Sequence, residues 1–160
     1  MLFMNNLYDL SLSELKAELA LKNHPGYRSS QIWQWLGQKG CRNFEEMTNI
    51  SKTLRNDLAE KYSLNLPEVN TMRQSQDGTT KFILRLADAA MVECVLIPSE
   101  SHYTLCISTQ VGCSMACSFC STGQMDFKRN LSSGEILSQV LVVRNYLTEQ
   151  NNPLSLVNLV

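Results

Sequence analysis

Leu105-Cys-Ile-Ser108, then Gly112-Cys-Ser-Met-Ala-Cys-Ser-Phe-Cys-Ser121, then Ser132-Ser-Gly-Glu135 and last Leu154-Ser-Leu-Val-Asn-Leu-Val160 read in that order as strand, loop, helix and strand. Ser132-x-x-Glu135 is a capping-box pattern. The helix it opens carries Ile136, Val140, Val143 and Leu147 on one stripe, and Asn151-Asn152-Pro153 ends it. A strand, a crossover helix and a strand predict a parallel pair. The cysteine loop then sits at the carboxyl end of a parallel strand, where α/β barrels and open α/β sheets place their active sites. A parallel strand is normally buried on both faces and needs neighbours. Here the sequence stops as that strand is laid down, so the reading expects a partner that completes the sheet or, by preference, a longer protein.

The loop holds Cys113, Cys117 and Cys120 as C-x3-C-x2-C. Three thiolates this close can hold three corners of a cubane iron–sulfur cluster and leave the fourth iron free to bind a small molecule. Zinc is the alternative, and its fourth ligand would be Cys106, His102 or a distant residue. Plain thiols are the third option. Disulfides need an oxidising compartment. The N-terminus, Met1-Leu-Phe-Met-Asn-Asn6, has no basic segment followed by an apolar core, so export is not expected. Six cysteines without an export signal point to metal or redox chemistry.

Working outward, the chain has 160 residues, 44% of them hydrophobic, and a formal net charge of −1. That composition fits one globular domain or two small ones. It gives no global basic field, so any nucleic-acid contact must rest on local patches. No apolar run approaches the roughly 20 residues of a membrane span. Residues 1–66 read as a small helical domain. Ser11-x-x-Glu14 caps a helix with Leu12, Leu15 and Leu19. Ser30 caps a second, carrying Ile32, Trp33, Trp35 and Leu36 and stopping near Gly40. A third follows Ser51 with Leu54, Leu58 and Tyr62. Residues 67–104 read as an antiparallel meander, with Asp77-Gly78 as a hairpin turn pair and Asp88-Ala-Ala90 as a second turn.

With these segments in view, the chain resembles the radical S-adenosylmethionine (radical SAM) RNA adenine-C2 methyltransferases, the RlmN/Cfr group. The resemblance is carried by the cysteine triad with Phe119 before its last member, and by Tyr27-Arg-Ser-Ser-Gln-Ile-Trp-Gln-Trp-Leu36, Phe44-Glu-Glu-Met-Thr-Asn-Ile-Ser51 and Asp77-Gly-Thr-Thr-Lys81. Val92-Glu93-x3-Ile97-Pro98 and Cys120-Ser-Thr-Gly-Gln124 with Phe127-x-Arg-Asn-Leu131 complete it. The resemblance implies that Cys113, Cys117 and Cys120 bind a [4Fe-4S] cluster whose open iron chelates SAM, with Phe119 beside it. It implies methylation of C2 of an adenine in 23S rRNA, and in tRNA, through a methyl-cysteine on a C-terminal cysteine that this sequence lacks. Cys106 would be the thiol that resolves a protein–RNA crosslink through a transient disulfide with that cysteine. Glu93 would be the proton acceptor. It lies in phase with Met91, Val95 and Ile97, and an apolar strand face favours the protonated carboxyl, which suits proton transfer.

The expected fold class is therefore α/β. A helical accessory domain (1–66), suited to RNA binding, and a β meander (67–104) precede the first βαβ unit of a truncated partial (β/α) barrel (105–160). The expected protein is cytoplasmic and monomeric and draws electrons from a donor such as flavodoxin. As a fragment it would be inactive alone. The competing reading is a non-enzymatic RNA-binding or zinc-binding module, and a third is a degenerate product with no independent role. Cys41 and Cys94 read as structural, and Trp33 and Trp35 as packing residues. Lys128 and Arg129 are either phosphate contacts or a solvated pair. Two positions depart from the family pattern. Asp126 stands where a glycine is usual, and Ala89-Ala90 replaces a turn usually richer in glycine.

Overall fold

The computed structural model describes residues 5–115, 118, 125–152 and 155–160. It divides into two compact units, residues 1–66 and 67–160.

In the first unit the chain ends are drawn together by two short strands, β1 (Asn5–Asn6) and β2 (Tyr62–Ser63), paired parallel. Helix α1 (Leu12–Leu21) has the expected capping box. The Ser11 hydroxyl accepts from the Glu14 amide, and the Glu14 carboxylate accepts from the Ser11 amide. Helix α2 (Tyr27–Gln34) starts three residues ahead of the expected Ser30 cap. The reason is Pro25, whose ring fixes φ in the helical range. The Pro25 carbonyl already accepts from the Arg28 amide, and the Gly26 carbonyl from the Ser29 amide. The helix widens into a π turn over Trp35–Lys39 and stops at Gly40, φ 59°. Helix α3 (Lys52–Ala59) is capped by Ser51. Leu7, Leu15, Leu19, Ile32, Leu36, Met47 and Leu54 are fully buried and form this unit's core.

The second unit is built on a five-stranded sheet of order β3 (Glu68–Gln74), β4 (Thr80–Arg85), β5 (Met91–Pro98), β6 (His102–Cys106) and β9 (Ser155–Leu159). The first four strands are antiparallel, and β9 pairs parallel with β6. The meander and the βαβ unit thus share one sheet. The β3–β4 connection is not the expected two-residue turn but a five-residue loop, 75–79. Its only positive φ is at Gly78 (85°), and the Asp77 carboxylate closes it by accepting from the Thr79 amide and hydroxyl. At the β4–β5 turn, Ala89 takes φ 64°.

Helix α4 (Ser133–Glu149) follows its Ser132–Glu135 capping box and packs on one face of the sheet. Its Tyr146 ring meets Phe82 edge-on at 5.2 Å. The buried surface of α4 is centred on Ser138, Gln139, Leu141, Val142, Val143 and Leu147. Ile136 and Val140, expected on the buried stripe, are only half-buried. Leucines and valines lie on both sides of the expected stripe, and the close packing of the sheet selects Leu141 and Val142 over Ile136. Phe82, Leu84, Val92, Cys94, Leu96 and Leu105 point from the sheet into this core. The residues of the opposite face are partly or fully exposed, and the edge strand β3 is exposed on both faces.

Candidate functional site

The cysteine loop leaves β6 and returns to α4 through a narrow neck. Strands β7 (Gln110–Val111) and β8 (Arg129–Asn130) pair antiparallel across it. The Lys128 amide donates to the Val111 carbonyl, the Leu131 amide to Thr109, and the Cys113 amide to Met125 at 3.3 Å. Gly112 sits at the tightest point with φ 73°. A Cβ built there would lie 2.1 Å from the Asp126 carbonyl oxygen, so the two arms can meet only at a glycine. The loop beyond the neck contains the triad. Cys113 is half-buried at its start. Cys117, Phe119 and Cys120 lie outside the described residues, and among the described residues no group of three metal-ligating side chains occurs.

Two devices hold the neck in place, and the sequence reading assigned neither. The first is Gln139, fully buried on α4. Its side-chain carbonyl accepts from the Ser108 amide at 2.9 Å, and its amide donates to the Ser108 carbonyl at 2.8 Å. This satisfies both backbone polar groups of Ser108, the second residue beyond β6, and fixes where the loop begins. A glutamine in the middle of an apolar helix was the visible signal. The Ser108 hydroxyl in turn donates to the Glu93 carbonyl at 2.7 Å, tying loop to strand.

The second device is Arg129, which is held by two carboxylates and is neither the free phosphate contact nor the solvated cation weighed in the sequence. Its guanidinium donates to both carboxylate oxygens of Glu135 (2.7 and 2.8 Å) and twice to Asp88 (2.8 and 3.0 Å). Glu135 is also the capping-box acceptor for Ser132. The arginine therefore links the β4–β5 turn, the loop neck and the start of α4. Hydrogen bonding from Arg129 holds the Glu135 carboxyl below its ordinary range against the opposing effect of burial. At Asp88 burial pulls the other way most strongly, but hydrogen bonds from Arg129 and the Ala90 amide outweigh it and the carboxyl is lowered. The guanidinium's hydrogen bonds to both carboxylates, Glu135 first, raise its pKa and keep it charged.

Glu93 and Cys106 both lie on the open face of the sheet. Register places Cys106 opposite Val95, one step diagonal to Glu93. The Glu93 side chain is 40% exposed, and its carboxylate lies 3.0 Å from the Lys81 ammonium. Its neighbours Met91 and Ile97 are exposed. The strand face around Glu93 is apolar as expected, but the expected desolvation is corrected: the carboxylate is partly exposed and ion-paired. Lys81 ends the Asp77-Gly-Thr-Thr-Lys81 segment, and the closed loop before it sets the register that brings it to Glu93. Cys106 is exposed, whereas Cys41 and Cys94 are buried. Burial, aided by neighbouring Glu46, pushes the Cys41 thiol up to about 11. Burial, then the charges of Glu93 and Cys106, pushes Cys94 up to about 12. Both are protonated and unreactive at neutral pH. In the helical unit Trp33 and Trp35 are half-buried, and Trp35 donates to the Asn49 side chain at 2.6 Å with the Lys39 ammonium over its ring.

Of the two departures noted in the sequence, the strain falls on one. The non-glycine residues with positive φ are Asn23, Ala89 and Asn151 among those described, and Asp126 is not one of them.

Comparison with known proteins converges on one group. Residues 5–64 match the model of the ribosomal RNA large subunit methyltransferase N-terminal domain, RlmN_N. Over 98% of its length the chain is 52% identical to the dual-specificity RNA methyltransferase RlmN of Solidesulfovibrio magneticus, covering 45% of that protein. It is 53% identical over 90% of its length to the RlmN of Nitratidesulfovibrio vulgaris, covering 41%. The crystal structure of a radical SAM methyltransferase from Sphaerobacter thermophilus superposes with a TM-score of 0.84 at 38% identity, over 97% of this chain and 45% of that one. The chain spans less than half the length of the relatives it matches. No described helix is long and apolar enough to cross a membrane. Residues 5–64 thus carry the RlmN N-terminal domain, and nearly the whole chain is similar in sequence and fold to part of the dual-specificity RNA methyltransferases RlmN and of a radical SAM methyltransferase.

Proposed function

We propose that the chain is the cluster-bearing N-terminal part of an enzyme that methylates C2 of adenine in 23S rRNA and tRNA, and that it does not turn over alone. The observation that carries this reading is the pinched cysteine loop at the carboxyl end of β6, with Glu93 and Cys106 on the adjoining open sheet face. The donor set fits a [4Fe-4S] cluster: three thiols fall within one short loop, no His, Asp or Glu lies between them, and the neck at Gly112 closes that loop on itself. When bound, the cluster would hold SAM at its open iron and supply the electron that cleaves it to a 5′-deoxyadenosyl radical.

The chain's own residues then divide the remaining work. Cys113, Cys117 and Cys120 are the cluster ligands, and Phe119 belongs to the same cofactor-binding segment. Glu93, ion-paired to Lys81, accepts the proton. Cys106 is the exposed thiol that resolves the crosslink: its thiolate attacks the sulfur of the crosslinked cysteine, the S–S bond forms as that sulfur's bond to the transferred carbon breaks, and the electron pair passes to the adenine-bound carbon, which becomes the methyl group. That cysteine and the rest of the SAM site would have to come from outside this chain, which covers 45% of the Solidesulfovibrio magneticus relative. A flavodoxin-like protein is the electron donor, and the cytoplasm the compartment.

The test is a hybrid. This chain replaces the matching segment of the Solidesulfovibrio magneticus relative, and the product is assayed anaerobically with RNA and SAM. The hybrid is expected to form C2-methyladenine, and Glu93→Gln or Cys106→Ala to abolish it. The 160-residue chain alone is expected to form none. C2-methyladenine made by the chain alone, or undiminished product from either variant, contradicts the reading.

A further inference from the structure

One row of the open sheet face runs Arg73, Lys81, Val95, Cys106 through successive cross-strand pairs of β3, β4, β5 and β6. Neighbouring strands lie about 4.8 Å apart, so the two cations stand roughly 10 to 15 Å from the thiol. Arg73 and Lys81 face each other directly on β3 and β4. Like charges directly opposite across a sheet oppose each other. Lys81 is partly compensated by Glu93 on its other side. Arg85, the third cation of this face, is ion-paired with Glu68. Arg73 is exposed and has no ion-pair or hydrogen-bond partner among the described residues. With Asn70, Thr71, Lys81 and Ile83 it lines an open groove on this face. A register shift between Val69 and Thr71 puts the extra residue, Asn70, at a bulge in this edge strand.

A cation pair with only one member compensated, beside neutral amide and hydroxyl groups, is a site for an anion. A chain whose overall charge is −1 draws nucleic acid through such local patches. We propose that Arg73 and Lys81 form a phosphate subsite that guides an RNA strand across the open sheet face towards Glu93 and Cys106. This rests on the RNA-modifying reading above and adds to it a place on the sheet where the strand is held.

Three variants and one probe test it. The probe is a fluorescein-labelled single-stranded adenine-containing RNA, titrated with the 160-residue chain over a salt series. Arg73→Gln is expected to weaken binding about three- to tenfold and to reduce the slope of log K against log salt by about 0.7, the value for one lost phosphate contact on a single strand. Arg73→Glu separates binding from folding. It turns a like-charge pair into an Arg-to-Glu-substituted ion pair with Lys81, so thermal stability should rise while RNA affinity falls further than in Arg73→Gln. Arg85→Gln, on the same face but already paired, should leave both affinity and slope within error. If Arg73→Gln and Arg73→Glu bind as the unsubstituted chain does, the subsite is wrong while the RNA-modifying reading stands. If Arg85→Gln loses as much as Arg73→Gln, binding is diffuse and the subsite is again wrong. If the unsubstituted chain binds no RNA, the subsite fails too, and the family chemistry is then judged separately by the iron content of the anaerobic protein.

Discussion

Gly112 and Ala89 share a left-handed backbone, and opposite substitutions should affect them oppositely. At Gly112 both φ (73°) and the 2.1 Å approach of the Asp126 carbonyl forbid a Cβ. Gly112→Ala must open the neck of the cysteine loop. It should cost more than about 2 kcal/mol in urea unfolding, since left-handed strain alone costs about 1–2 kcal/mol. It should also lower iron retention. Ala89 carries the same strain at φ 64° with no need for its methyl. Ala89→Gly should therefore stabilise the chain by about 1 kcal/mol, read as a higher urea midpoint with unchanged slope. The sequence made both sites visible in different ways. Gly112 precedes the triad but showed no sign of its crossing partner, which is set by a residue fourteen positions later. Ala89 was marked by its departure from a glycine-rich turn, and there the strain was found. Asp126 was marked for the same reason and carries none.

The elements around the loop are held by charge. Arg129 ties the β4–β5 turn to the capping box of α4. Both of its carboxylate partners ionise more readily in the folded chain than in the unfolded one. Their contribution is therefore fully present above the ordinary carboxylate range and is lost as pH falls through the lowered folded values. These groups are partly exposed, so the expected size is modest. Arg129→Met should be less stable by about 1 kcal/mol at neutral pH. The deficit should shrink towards zero in a urea-unfolding series taken into acid. A deficit that stays constant on acidification would assign the loss to packing instead. The sequence showed the capping box of α4 clearly, because Ser132 and Glu135 have the required spacing. It did not show Arg129 as their partner, since Asp88 lies forty-one residues away and only the closed sheet brings it near. Gln139 was readable as a polar interruption in an apolar helix, but not as the clamp on Ser108.

At the scale of the whole chain, alternation and turn residues were sufficient to find the antiparallel strands and the parallel return of β9. They could not show that one face of the sheet stays open, because an alternating strand looks the same whether its outer face meets solvent or a partner. That face carries Glu93 and Cys106, and its ion pair between Lys81 and Glu93 replaced the desolvation expected from β5 alone. The account as a whole stands on the triad in the pinched loop. Its most direct test is anaerobic reconstitution of the chain with iron and sulfide, followed by metal and sulfide analysis of the unsubstituted protein and of a Cys113→Ala, Cys117→Ala, Cys120→Ala triple variant. The account predicts a brown protein with about four irons per chain that the triple variant cannot form. A colourless protein holding stoichiometric zinc, or an iron content unchanged in the triple variant, would contradict it.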